Sequence, residues 1–374
     1  MRFQRKLQLV VLASISLVFV SHDSANAEDQ SSQTTESFAL HMLVIDYDYT
    51  PYDYVCPYDY GVAVVRLNPL IRGFHPDEYT QPAESPYHYA ETHRLPLKTF
   101  DDYLAVLDHI MRRAAERGAV GMKSTLAYRR TLHYEAVTKS QAAEAFGKRR
   151  GELTPSQIKA FEDYVFRQFC ELSEKHVLPL QIHTGYVLSQ SNPLLLENLI
   201  RDYPKTTFIL FHGGYPWVGE TAAMALHFPK NVWIDSNWLP TLSYHMAKRA
   251  YHEWLDVIPA NRIMWGSDTL HAEGLYGATE TTRQCLAEVL AERVTRRQVL
   301  EAGARHIGEQ ILRESALLAF PRLRQHVARR SQQRNQQKEQ QPTAGAFGWA
   351  VNDRPCVQQQ WHRLPACVVS LAGC

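Results

Sequence analysis

No Cys-x-x-Cys pair occurs in this sequence, and it holds only 6 cysteines. Cys56, Cys170 and Cys285 are widely scattered, while Cys356, Cys367 and Cys374 crowd into the last stretch. That spacing argues against a thiolate zinc site and does not read as a disulfide framework. An excess of charge is missing too. The chain sets 40 Lys and Arg against 39 Asp and Glu, a formal net charge of +1, so no bulk field favours nucleic acid or an acidic membrane. Long apolar runs are also absent. The most conspicuous one, Leu7 to Val20, falls short of the roughly 20 residues that a bilayer span needs. Arg2, Arg5 and Lys6 precede it, and Ala25-Asn26-Ala27 follows. Residues 1–27 therefore read as a secretory signal, which implies a periplasmic or secreted protein with no membrane attachment after cleavage.

What the sequence does hold is ordinary globular composition, 374 residues that are 45% hydrophobic and 21% charged, enough for one large domain. Residues 28–39 are polar and read as a flexible linker. From residue 40 to about 324, short apolar runs alternate with longer amphipathic ones. The runs are His41 to Tyr49, Gly61 to Pro69, Ala119 to Ser124, Leu178 to Gly185, Thr207 to Gly214, Asn231 to Trp238 and Arg262 to Thr269. Most lack strict alternation, as suits parallel strands buried on both faces. Between them lie helix signals. Thr99 with Asp102 makes an N-terminal cap before a run that ends at Gly118, and Thr154-Pro155-Ser156-Gln157 is a capping-box pattern. Strand and helix in this alternation predict an α/β protein built as a (β/α)8 TIM-type barrel, here incomplete because seven strands are recognisable and closure takes eight. Residues 325–374, with the glutamine-rich "RSQQRNQQKEQQPT", read as a low-complexity, disordered tail.

In such a barrel the chemistry sits at the C-terminal ends of the strands. The fourth, fifth and seventh runs end in His183, His212 and Asp268, and the third ends near Lys123. Imidazole and carboxylate are ligand types that suit zinc and similar ions. His183, His212 and Asp268 are thus the candidate metal ligands, with Asp268 and His212 as candidate proton-handling groups. The bland readings are a core histidine bonded to backbone and an aspartate that caps a helix. Lys123, Tyr128 and Arg129 are candidate contacts to an acidic substrate, against a surface salt bridge. His271, Trp217 and Trp238 are weaker candidates. Asp46, Asp48 and their neighbouring tyrosines read as a surface loop.

The stretches "LPLQIHTG", "FILFHGGYP" and "RIMWGSDT", in this order, resemble the amidohydrolase-related proteins of the amidohydrolase superfamily. The likeness extends to the amidohydrolase-like domain fused to glutamine synthetase in nodulin-type proteins, through "GAVGMKSTLAYRRTL" and "SNPLLLENLIRDYP", and covers roughly residues 42 to 323. The resemblance implies a distorted barrel, one or two divalent metals, zinc among them, and hydrolysis of an amide, ester or lactone. Decarboxylation without oxidation is the second reaction it allows. It implies that His183 is a metal ligand, that His212 binds metal or steers the water, and that Asp268 is ligand and proton shuttle. Lys123 stands where some members carry a carboxylated lysine. One departure stands out: no His-x-His occurs in the sequence, whereas the family's first strand ends in one. The run near Met42 then corresponds to the family's second strand, and a degenerate barrel without catalysis is a third reading. The expected partner is a small molecule, met by the chain alone or as a homo-oligomer.

Overall fold

The computed structural model describes residues 13–19, 40–47, 52, 61–269, 272–340 and 370–371. The seven apolar runs become seven parallel strands: β2 (Leu40–Tyr47), β3 (Gly61–Arg66), β4 (Gly121–Ser124), β5 (Leu180–Ile182), β6 (Phe208–Leu210), β7 (Val232–Asp235) and β8 (Ile263–Met264). They neighbour one another in chain order, the order of a β/α barrel. A further strand, β1 (Ala13–Phe19), pairs antiparallel with β2, so part of the stretch read as an export signal forms one edge of the sheet in the full-length chain. A short segment, β9 (Ser370–Leu371), also pairs with β2. Among the described residues no ladder joins β8 back to β1 or β2, and the barrel is open.

Each strand divides its side chains between two apolar layers, because successive residues point to opposite faces. Met122, Leu180, Ile182, Phe208, Leu210, Val232 and Ile234 belong to the larger core, which the surrounding helices cover. The residues between them, Val62, Val64, Ile209, Phe211, Trp233 and Met264, form a second, inner cluster. The floor of that inner layer comes from the far end of the chain. Ala316, Leu317, Ala319, Phe320, Leu323 and Val327 all join it, and Phe320 packs against β4 at Gly121.

The helix signals act as read. The Phe100–Glu116 helix starts on a capping box between Thr99 and Asp102, and the Pro155–His176 helix on one between Thr154 and Gln157. Phe161, Val165 and Phe169 of the second bury completely. The helix Pro321–Gln340 crosses the boundary expected at residue 324. Two features account for this. Leu323 and Val327 anchor its first turns in the barrel floor, and Gln, Arg, Lys and Glu further on are all competent helix formers. The linker read at 28–39, Asp48, His271 and most of the C-terminal stretch lie outside the described residues, and Asp46 falls within β2. Among the described residues no helix is long and apolar enough to cross a membrane.

Candidate active site

The register of the sheet decides which strand-end groups can meet. Arg66, Lys123, Gln181, Ile209 and Trp233 are paired neighbour to neighbour across β3 to β7 and so share one face. Ile209 and Trp233 belong to the inner cluster, so this face is the inner one. Two residues further on, His183 and Asp235 keep the same phase. His212 does not. It follows Phe211, which points inward, so an extended backbone would send His212 outward toward the helices. Instead β6 stops at Leu210, and His212, Gly213 and Gly214 all turn left-handed, with φ of 62°, 55° and 71°. The turn re-aims the imidazole, and His212 Nε2 comes to 2.8 Å from His183 Nδ1.

The two glycines make that turn affordable in space as well as in φ. A Cβ on Gly213 would stand 2.7 Å from Trp254 Cη2, and one on Gly214 would stand 2.0 Å from Thr221 Oγ1. His212 has no such freedom, and a non-glycine residue held at φ 62° stores backbone strain. Asn237 helps hold it there, since its Oδ1 accepts the His212 backbone N–H at 2.7 Å. The Asn237 N–H in turn donates to Asp235 Oδ1 at 2.9 Å. The loops after β5 and β6 are also tied together, with Thr184 Oγ1 donating to the Phe211 carbonyl at 2.7 Å.

Burial sets the charge state of the pair. His183 is held well below the usual imidazole range by burial first, then by His212, Lys123 and Arg66. Burial and then Lys123 do the same to His212. Both rings are therefore neutral near pH 7, with lone pairs able to bind a metal. Asp268, itself left-handed at φ 50°, places Oδ2 3.6 Å from His212 Nδ1, the ring nitrogen that does not meet His183. Lys123 is buried beneath them, its Nζ 2.9 Å from the Phe211 ring centroid.

Of the candidate substrate contacts, Tyr128 is close. Its ring centroid is 4.4 Å from that of His183, and Trp238 lies 5.3 Å from His212 with Tyr186 against it. Arg129, one residue on, lines a cavity of about 300 Å³ to which neither histidine contributes. Trp217 is half-buried and donates its backbone N–H to Gly214 at the start of the next helix. The strand-end rule also had more to give. Applied to the second and sixth runs it would have found Arg66, Asp235 and Asn237, all buried. Asp235 is the acid of the three, its carboxyl pushed up to about 7 by burial.

Whether these residues suit a metal can be judged from their unused atoms. His183 Nε2 and His212 Nδ1 are buried without a hydrogen-bond partner, while His183 Nδ1 and His212 Nε2 meet each other at 2.8 Å. That is a fit in chemistry and in charge, for two of the three or so protein ligands a catalytic zinc takes. Among the described residues no group of three or more His, Cys, Asp or Glu side chains is placed to hold an ion.

Fold and site together define a class: an open β/α barrel with a neutral imidazole pair at its strand ends. The family profile described as amidohydrolase matches residues 101–306, and the chain belongs to that family. Protein fluG of Emericella nidulans is 28% identical over 214 residues, which cover 51% of this chain and 25% of that protein. The chain thus spans about a quarter of the length of this curated relative. Among solved structures, one described as a metal-dependent hydrolase from Lactobacillus casei superposes with a TM-score of 0.58 at 22% identity, covering 73% of this chain and 72% of the other. Uronate isomerase from Thermotoga maritima superposes with a TM-score of 0.62 at 16% identity, covering 75% and 68%. At such identities the two structures speak for the fold alone. The superfamily generally uses a divalent metal and acts on small molecules.

Proposed function

We propose that this chain is an exported, metal-dependent hydrolase that adds water to an amide, ester or lactone carbonyl of a small molecule. The observation that carries the reading is the imidazole pair: two neutral rings from adjacent strands, brought to 2.8 Å by a left-handed turn. Two imidazoles with a carboxylate nearby favour zinc over a hard ion such as magnesium. When bound, such an ion polarises a carbonyl and lowers the pKa of water toward 7. His183 and His212 would hold it. Asp268 accepts the proton lost by the attacking water and returns it to the leaving atom. Tyr128 and Trp238 press a substrate against the two rings and keep bulk water off them. Lys123 lies under the site, where its ammonium form would favour a developing oxyanion.

Metal analysis of the purified full-length chain, coupled to a panel of simple amides, esters and lactones, tests the reading. A divalent metal lost on His183→Ala, together with turnover lost in parallel, supports it. A chain that takes up no divalent metal, and whose turnover is unmoved by His183→Ala, refutes it.

A further inference from the structure

The cavity that receives Arg129 is lined by four arginines, at 72, 129, 130 and 150, against two glutamates, Glu78 and Glu162. Two of the arginines are already engaged. Arg130 pairs with Glu162 at 3.1 Å and with the buried Asp163, and Arg150 Nε donates to Glu78 at 3.1 Å. Both lining carboxylates are consumed by these pairs. Arg72 and Arg129 make no ion pair among the described residues. Arg72 Nε is buried with no hydrogen-bond partner, although a guanidinium donor out of water ordinarily finds one. Glu84, from the 82–84 turn, lies within electrostatic reach of both arginines, yet it does not line the cavity and forms no ion pair with either among the described residues. The cavity thus has a rigid, charge-compensated frame and two guanidinium groups with donors to spare. Its volume of about 300 Å³ is at the lower end of the range for small-ligand sites.

Its position gives it a purpose. A single turn, Leu126–Tyr128, separates it from the imidazole pair. Tyr128 at one end of that turn lies against His183, while Leu126 and the adjoining Arg129 line the cavity. We infer that Arg72 and Arg129 bind a carboxylate group at one end of the substrate, holding its other end over His183 and His212. The substrate class is a small carboxylic acid whose reacting carbonyl lies several bonds from the carboxylate. Two planar guanidinium forks suit a carboxylate better than a lysine point charge would. The link to catalysis rests on the hydrolase reading above; the existence of the anion site does not.

Titration calorimetry on the full-length chain with succinate, succinamide and inorganic phosphate tests the site without requiring turnover. The expected result is binding of succinate, weaker binding of phosphate and none of succinamide. Succinate affinity should fall at least about tenfold in Arg72→Gln/Arg129→Gln, as loss of a charge-assisted contact implies. Arg129 is exposed, so Arg129→Gln alone leaves folding intact and is expected to weaken succinate measurably. Failure of the wild-type chain to bind succinate overturns the inference, as does binding retained by a folded double variant. Equal binding of succinamide overturns it too, and preference for phosphate overturns the carboxylate class. Binding of succinate by a chain that hydrolyses nothing keeps the anion site and removes the hydrolase reading. Turnover of neutral and acidic substrates alike, unmoved by Arg129→Gln, does the reverse.

Discussion

Gly213→Ala should be among the most damaging single-methyl additions this protein can receive, and the cost can be worked out beforehand. At φ 55° an alanine pays about 1 kcal/mol for the left-handed backbone. Its Cβ would then stand 2.7 Å from Trp254 Cη2 and 2.9 Å from Leu239 Cδ2, and both side chains are fully buried. Overpacking of this kind costs roughly 1–3 kcal/mol. The total, about 2–4 kcal/mol, should lower the urea midpoint by on the order of 1–2 M at an ordinary denaturant slope. Gly151→Ala is the control. Its Cβ meets nothing within 4 Å, so its effect should stay within about 0.5 kcal/mol. Gly213→Asn separates the two contributions, since asparagine tolerates left-handed backbone while bringing the same Cβ. Equal midpoints for Gly213→Ala and Gly151→Ala would refute the account of the turn that aims His212.

Three further outcomes are expected. Asn237→Ala leaves the buried His212 N–H without its acceptor and should cost about 1–3 kcal/mol in urea unfolding; an unchanged midpoint would mean that the 2.7 Å bond does not hold the turn. Asp235, raised to about 7, favours the folded state while protonated, a contribution fully present below about pH 4 and lost as pH rises through 7. Asp235→Asn should therefore stabilise by up to roughly 4 kcal/mol at pH 8 and little at pH 4, and an equal effect at both would contradict the burial argument. The histidine pair works in the opposite sense. With folded values below the usual 6.5 or so, stability is present above that pH and declines as pH falls, so His183→Gln/His212→Gln should flatten the acid limb of a stability–pH curve; a limb of unchanged slope would place the acid sensitivity elsewhere.

Much of this architecture is legible in the sequence because the relevant physics is local. Seven continuous apolar runs gave seven parallel strands, and Thr99–Asp102 and Thr154–Gln157 cap helices as their side chains alone require. The strand-end rule found His183, His212 and Asp268 on the same grounds. It could not show that His183 reaches the inner face by ordinary alternation while His212 needs a reversed backbone, because alternation must be counted from a register that only pairing fixes. Asp235, near the end of the sixth run, lies within reach of the strand-end rule itself. The separation of Arg129 from Tyr128 was invisible, since adjacent residues on a tight turn diverge in ways that type and spacing do not encode. The helix beyond residue 324 was hidden by composition: a glutamine-rich stretch reads as solvated until two apolar residues upstream of it find a barrel floor.

That floor has a kinetic consequence. Phe320 and Leu323 stopper the bottom of the barrel, so on the reading proposed above a reactant has no passage through that floor. On the side of the histidine pair, Tyr128 lies against His183 and Trp238 against His212, with Tyr186 packed on Trp238. If the chain turns over a small molecule as proposed, the rate should respond to the size of Tyr128 and Trp238 even where the groups beneath them are untouched.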